Sequence, residues 1–116
     1  MSERSPITSH VLDTARGCPA AGVTAKLEYK SGSAWTQLGQ GTTNDDGRIA
    51  DLLPVDHKLQ AGTYQLTFDT GTYCDRLSVQ SFYPYVTVVF EIRNVEKHYH
   101  VPLLLSPFGY STYRGS

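Results

Sequence analysis

Residues 98–106, HYHVPLLLS, decide the fold of this chain. Apolar side chains occupy every second position of this stretch, which is the period of a β-strand that buries one face. The predicted core face consists of Tyr99, Val101, Leu103 and Leu105. The predicted outward face consists of His98, His100, Pro102 and Leu104. Because proline has no N–H to donate to a ladder, we expect this strand to bend, to carry a bulge or to lie near an edge.

The same period of two recurs in other segments, so strands dominate the chain. The clearest examples are VTAKLEYK (23–30), TYQLTFD (63–69) and YVTVVFEIR (85–93). Turn-forming clusters separate such runs, among them RGCPAAG (16–22), SGS (31–33), NDDG (44–47) and LQAG (59–62). The spacing predicts seven or eight short strands in a β-sandwich, with one short helix around Thr72–Val79.

The composition indicates one domain, residues 1–116, and excludes several classes of function. A net charge of −1 leaves no basic footprint for nucleic acid. No apolar stretch approaches the roughly 20 residues that span a bilayer, so no membrane association is expected. The polar start MSERSPITSH does not resemble a signal peptide, and we expect a cytoplasmic protein. A peroxisomal location stays open, although the last three residues are not Ser-Lys-Leu.

Two cysteines, Cys18 and Cys74, are too few for a disulfide framework, and we expect reduced thiols. Neither has a neighbouring histidine in sequence that marks it as an activated nucleophile. The dipeptide Ser9-His10 does not form a nucleophile and its base, because neighbours on a strand point to opposite faces. A serine hydrolase is therefore not expected.

The histidines permit two interpretations. His98 and His100 have the i, i+2 spacing with which a strand can chelate zinc, but a third ligand, His10 or His57, has to come from elsewhere in the fold. The alternative is a pair of solvated strand histidines. The segment TNDDGR (43–48) is predicted to be a turn, and its Gly47 permits a positive φ.

Five motifs, taken together, resemble the 5-hydroxyisourate hydrolase family, the transthyretin-related enzymes of urate degradation. They are SHVLD (9–13), DGR (46–48), FYPYV (82–86), HVPLLLSP (100–107) and the terminal YRGS (113–116). The resemblance implies an all-β fold, an eight-stranded transthyretin-like β-sandwich with one short helix. It also implies a homotetramer, a dimer of dimers, that encloses a channel with active sites at its ends. Transthyretin shares the fold and the LLSP region but lacks the enzyme's histidine and arginine positions.

The resemblance also implies the site and its chemistry. The substrate is 5-hydroxyisourate, and a ring amide is hydrolysed without a metal or an organic cofactor. The implied catalytic residues are His10, Arg48, His100 and Ser116, and the implied substrate-binding residues are His10, Arg48, Tyr113 and Arg114. Which histidine is the base stays open, and no role follows for His98, His57, Cys18 or Cys74. The alternative function is a transthyretin-like carrier that binds a small aromatic ligand in the channel.

Overall fold

The structure is a computed structural model that describes residues 5–115. Over this range the chain forms nine strands and one helix. In chain order they are β1 (Ile7–Asp13), β2 (Cys18–Pro19), β3 (Thr24–Ser31), β4 (Ala34–Thr42), β5 (Arg48–Ile49), β6 (Gly62–Phe68), α1 (Thr70–Arg76), β7 (Val86–Ile92), β8 (Tyr99–Ser106) and β9 (Gly109–Thr112).

The strands form two sheets. One sheet has the order β2-β1-β8-β9, with β5 also paired to β1. The other has the order β4-β3-β6-β7 and is antiparallel throughout. The predicted sandwich with one short helix is confirmed. The structure has nine strands where eight were expected, and two of the nine, β2 and β5, contain only two residues each.

Strand β8 buries the face that its sequence predicts. Tyr99, Val101, Leu103 and Leu105 belong to the hydrophobic core, whereas His100 is half-buried on the other face. The strand is not at an edge, because it pairs in parallel with β1 and antiparallel with β9. This central place puts the outward face of β8 beside the outward face of β1.

Pro102 interrupts the ladder between β8 and the chain that follows β9. The pairing register runs from Ser106↔Gly109 to Leu103↔Thr112 and is taken up again by His100↔Gly115, which places Pro102 opposite Tyr113. Proline cannot donate a backbone hydrogen bond there. Its carbonyl instead accepts one from Thr112 Oγ1 at 2.7 Å. The interruption therefore falls within the terminal segment that the sequence assigns to the site.

The helix begins and ends earlier than the prediction of Thr72–Val79. Asp69 caps its N-terminus, with the carboxylate accepting from the Thr72 backbone N–H at 3.3 Å and from the Thr72 hydroxyl at 2.9 Å. An aspartate in this place is a favourable N-cap, and it fixes the start of the helix at Thr70. Over residues 5–115 no helix has the length and apolar character needed to cross a membrane.

The helix is joined to the end of β1 through polar contacts of Tyr73. The Tyr73 hydroxyl donates to Asp13 Oδ2 at 2.7 Å, and Arg16 Nη1 donates to the same hydroxyl at 3.2 Å. Burial, together with the bond to Asp13, raises the pKa of Tyr73 to about 12. Both cysteines are free thiols, and burial raises the pKa of Cys74, which lies on the buried side of the helix.

Candidate active site

Strand β1 gathers polar residues from distant parts of the sequence onto one face of its sheet. His10 lies opposite Arg48 of β5, and Thr8 lies opposite His100 of β8. Paired residues on adjacent strands share a face, and so do residues two apart on one strand. The four side chains therefore leave the sheet on the same, outward side. The centroids of the His10 and His100 rings are 6.5 Å apart.

His10 is held by a backbone carbonyl of the turn before β5. Its Nε2 lies 3.0 Å from the carbonyl oxygen of Asp46. Because a carbonyl only accepts, Nε2 carries the proton, and in the neutral ring Nδ1 carries the lone pair. In the tautomer assigned from this hydrogen bond, His10 can accept a proton at Nδ1.

The turn that provides this carbonyl is fixed by its own side chain and by a glycine. Asn44 Oδ1 accepts from the backbone N–H groups of Asp46 at 2.9 Å and Arg48 at 3.0 Å. Gly47 has a φ of +76°, and a Cβ at this position would lie 2.5 Å from the carbonyl oxygen of Val11. The predicted turn with a positive-φ Gly47 is confirmed. One compact turn thus orients His10 and presents Arg48.

His100 is held by a buried hydroxyl that the sequence gave no reason to single out. Thr8 Oγ1 lies 2.8 Å from His100 Nδ1 and 3.0 Å from His98 Nε2. Thr8 is only 4% exposed. His98, to which the resemblance gave no role, therefore contacts the same hydroxyl as His100.

The segment after β9 reaches the site through Gly115. Its N–H donates to the carbonyl of His100 at 2.9 Å, and the two residues form a bridge in the β8–β9 register. A Cβ on Gly115 would lie 2.5 Å from Cδ2 of the His100 ring, so a side chain and the ring cannot both occupy their places. Tyr113, two residues earlier, belongs to the same outward face and is 57% exposed. Ser116 lies outside the described residues.

This close approach predicts the effect of Gly115→Ala. The added methyl group displaces the His100 ring, and we expect kcat to fall by about tenfold, the effect of a misplaced catalytic group rather than of its loss. Gly115→Ala affects little of the core, so the thermal midpoint is expected to stay within a few degrees of the parent. The matched control is Gly109→Ala, where the nearest atom to a Cβ is Ser106 Oγ at an ordinary 3.6 Å. Equal activity of the two variants would show that the ring position does not matter.

Arg114 takes a different place from the other predicted residues. Its guanidinium carbon lies 4.6 Å from the centroid of the Tyr99 ring, a cation–π contact. Tyr99 faces the core side of β8, opposite to His100. Arg114, His100 and Glu91 line a cavity of about 320 Å³ between β7 and the terminal segment. The structure thus places the Arg114 guanidinium on Tyr99 rather than with His10 and Arg48.

Two alternative chemistries can be compared with this geometry. Ser9 is 1% exposed, and its hydroxyl donates to the carbonyl of Val101 at 2.7 Å, so it faces away from His10 as predicted. In the described part of the chain, no group of three or more His, Cys, Asp or Glu residues is placed to hold a metal ion. His98 and His100 share a hydroxyl instead.

Comparison with known proteins gives close relatives over almost the whole chain. The 5-hydroxyisourate hydrolase of Mus musculus is 48% identical over 117 residues, covering 99% of this chain and 98% of its own. The structure of Klebsiella pneumoniae 5-hydroxyisourate hydrolase has a TM-score of 0.83 at 37% identity and covers 95% of this chain and 98% of its own. Sea bream transthyretin in complex with thyroxine has a TM-score of 0.88 at 34% identity, and the match covers 95% of this chain and 94% of the transthyretin chain.

These likenesses confirm the transthyretin-like form of the sandwich, and a family model supports them. The model described as the HIUase/Transthyretin family matches residues 7–115. The matched range therefore includes β1, β5 and β8, where the histidines and the arginine of the site lie. The chain belongs to the HIUase/transthyretin family.

Proposed function

We propose that this chain hydrolyses 5-hydroxyisourate to 2-oxo-4-hydroxy-4-carboxy-5-ureidoimidazoline, a step of urate degradation. The observation that carries the proposal is the placing of His10, His100 and Arg48 on one outward face, with the two imidazoles 6.5 Å apart. Relatives that carry the name of this enzyme at 43–50% identity support it.

The histidines activate the attacking water. An imidazole takes a proton from water as the oxygen attacks a carbonyl carbon of the six-membered ring, and the tetrahedral intermediate then loses the ring nitrogen. The nitrogen leaves with a proton returned by an imidazole, and the carbonyl carbon becomes a carboxylate. Because neutral imidazole titrates near pH 7, such a base contributes about 10²–10⁴ in rate. His10 and His100 perform these proton transfers as a pair.

Arg48 stabilises the charge that develops on the carbonyl oxygen. An arginine guanidinium carries a positive charge and offers several donors in one plane. The Arg48 backbone is fixed on both sides, by Asn44 and by the pairing of β5 with β1, so the side chain starts from a rigid base. A donor placed at a developing oxyanion contributes about 2.7–4 kcal/mol in comparable sites.

The terminal segment completes the site. Tyr113 bounds the substrate on the outward face, and Gly115 leaves room for the His100 ring. For Arg114 the contact with Tyr99 supports an anchoring role that holds this segment against β8. The catalytic role of Ser116 rests on the resemblance of the YRGS motif alone.

The test of this function is product analysis with freshly generated substrate. The chain should accelerate the loss of 5-hydroxyisourate absorbance, and ¹³C NMR of the product should show a new carboxylate in place of a ring amide carbon. Loss at the spontaneous rate, with any concentration of correctly folded chain, would contradict the proposal.

A second function, a carrier for a small aromatic ligand, is favoured by one observation. The thyroxine-bound transthyretin resembles this chain in fold as closely as the hydrolase does, with TM-scores of 0.88 and 0.83. The fold therefore does not separate the two functions, whereas the paired imidazoles with Arg48 favour hydrolysis. Saturable binding of thyroxine by a chain that does not accelerate the reaction would instead support the carrier.

We also propose that the chain assembles as a homotetramer, a dimer of dimers. Strands β7 and β9 end their sheets, and unpaired edges favour pairing with a second copy. Val89 is 59% exposed on β7 and Leu104 is half-buried on the outward face of β8, so apolar surface is available for contacts between copies.

The assembly predicts a definite mass. Sedimentation equilibrium at micromolar concentration should give about four times the 12.8 kDa of one chain. Val89→Glu on the exposed face of β7 should shift the distribution toward smaller species, because a charge in a contact between copies is costly to bury. A monomeric parent chain that retains full activity would refute a site that depends on the assembly.

A further inference from the structure

The Thr8 hydroxyl joins two imidazoles. It lies 2.8 Å from His100 Nδ1 and 3.0 Å from His98 Nε2, both within hydrogen-bond distance. Thr8 and His100 leave β1 and β8 on the outward face, because they are paired in register, and His98 reaches the same hydroxyl from the position just before β8. Thr8 as a whole residue is only 4% exposed.

The number of protons limits how these groups can bond. A hydroxyl has one proton to donate and accepts through its lone pairs, whereas each nitrogen of a neutral imidazole either donates or accepts. The Thr8 proton can satisfy only one of the two nitrogens. At least one imidazole must therefore carry a proton on the nitrogen that faces Thr8.

We infer that Thr8 and His98 form a hydrogen-bond relay that determines which nitrogen of His100 carries the proton. This inference rests on the proposed hydrolase function of His100. In the state active as a base, His100 Nδ1–H donates to Thr8 Oγ1, and the Thr8 hydroxyl donates to His98 Nε2. The lone pair of His100 is then on Nε2, the nitrogen on the other side of the ring from Thr8.

Protonation of His98 favours the opposite direction of the relay. An imidazolium carries protons on both nitrogens, so His98 Nε2 then donates to Thr8 Oγ1 and no longer accepts. Within the relay, the Thr8 hydroxyl then donates its proton to His100 Nδ1. His100 Nδ1 acts as the acceptor, so the proton of the neutral His100 ring lies on Nε2. In that tautomer His100 cannot accept a proton from water at Nε2. Acid therefore inactivates the base through His98 as well as by protonating His100 itself.

Other titratable groups surround the relay and act on it equally in all variants. They are His10 on β1, Arg48 on β5, Glu91 on β7, Tyr99 on β8, and Tyr113 and Arg114 in the terminal segment. Because these groups are the same in all variants, a difference between two variants reports on the change made at Thr8 or His98.

The variants Thr8→Val, Thr8→Ser and His98→Gln separate the relay from a structural role. Valine keeps the shape of threonine without the hydroxyl, whereas serine keeps the hydroxyl. Glutamine places an amide oxygen near the position of Nε2, so it accepts from Thr8 but does not titrate near pH 7. Thermal unfolding verifies that each variant is folded.

The first measurement does not depend on activity. Long-range ¹H–¹⁵N NMR at pH 8 distinguishes the two tautomers of His100 in the free protein. We expect the Nδ1–H tautomer in the parent and in Thr8→Ser, and a shift toward Nε2–H or a mixture in Thr8→Val. The same tautomer in parent and Thr8→Val, or an Nε2–H tautomer in the parent, would overturn the relay even if the hydrolase function holds.

The second measurement is the pH dependence of kcat with 5-hydroxyisourate. Thr8→Val should lower kcat by about tenfold and leave KM within about twofold of the parent, because one hydrogen bond to a reacting group is lost. Thr8→Ser should restore most of the lost kcat. His98→Gln should make the acid limb of the kcat–pH profile shallower, because one protonation in place of two then lowers kcat. It should also move this limb to lower pH. An acid limb unchanged by His98→Gln would contradict the relay. A parent without activity would contradict the proposed function, and the NMR measurement would still decide the relay.

Discussion

Replacing His10 or His100 by alanine is expected to lower kcat/KM by about 10²–10⁴, the contribution of general acid–base catalysis. Each ring is fixed by a specific contact, His10 by the carbonyl of Asp46 and His100 by the hydroxyl of Thr8. Neither belongs to the hydrophobic core, so the loss of activity should come without loss of the fold. Initial rates and thermal midpoints of the purified variants test both statements.

The double variant sharpens this prediction. If the two imidazoles work as one unit, His10→Ala combined with His100→Ala should be little worse than the more damaging single change. The matched control is His57→Ala, a half-buried histidine between β5 and β6 that lies outside the site. Strictly additive losses would mean that the two histidines act in independent steps, and an equal loss in His57→Ala would point to a general effect on folding.

Replacing Arg48 by alanine is expected to lower kcat by about 10²–10³ with a smaller change in KM, because the guanidinium acts where charge develops in the transition state. The side chain is exposed, and the turn is held by backbone contacts to Asn44, so the fold should be unaffected. Arg48→Lys should recover only part of the activity, since lysine keeps the charge but not the planar donors.

Arg93→Ala is the control for the loss of one positive charge. Arg93 is 84% exposed and forms an ion pair with Glu91 at 3.2 Å, an arrangement that contributes little to stability. We expect parent activity in this variant. If Arg48→Ala retained most of its kcat and raised KM alone, Arg48 would be a binding residue and the oxyanion would need another donor.

The sequence predicted those parts of the fold that depend on alternation and on turn chemistry. The core face of β8 and the positive φ of Gly47 follow from local patterns, and both are confirmed. The helix begins at Thr70, two residues before the predicted start at Thr72, because Asp69 caps its N-terminus. The resemblance named His10, Arg48 and His100, and the pairing of β1 with β5 and β8 explains how residues so distant in sequence meet.

The contacts that hold the site could not be predicted, because they depend on strand register. Thr8 and His100 are 92 residues apart and become neighbours only through the parallel pairing of β1 with β8. The approach of Gly115 to the His100 ring requires the ladder to resume after Pro102. Alternation places the neighbours Tyr113 and Arg114 on opposite faces, but only the structure shows Tyr99 as the partner of Arg114.

The central claim is that the paired histidines of this chain accelerate the hydrolysis of 5-hydroxyisourate. Its most direct test is the initial rate of absorbance loss as a function of chain concentration, for the parent and for the His10→Ala, His100→Ala double variant in the same substrate preparation. The account predicts a rate that rises linearly with the parent and stays near the spontaneous rate with the folded double variant. A parent that leaves the spontaneous rate unchanged, or a double variant as fast as the parent, would contradict it.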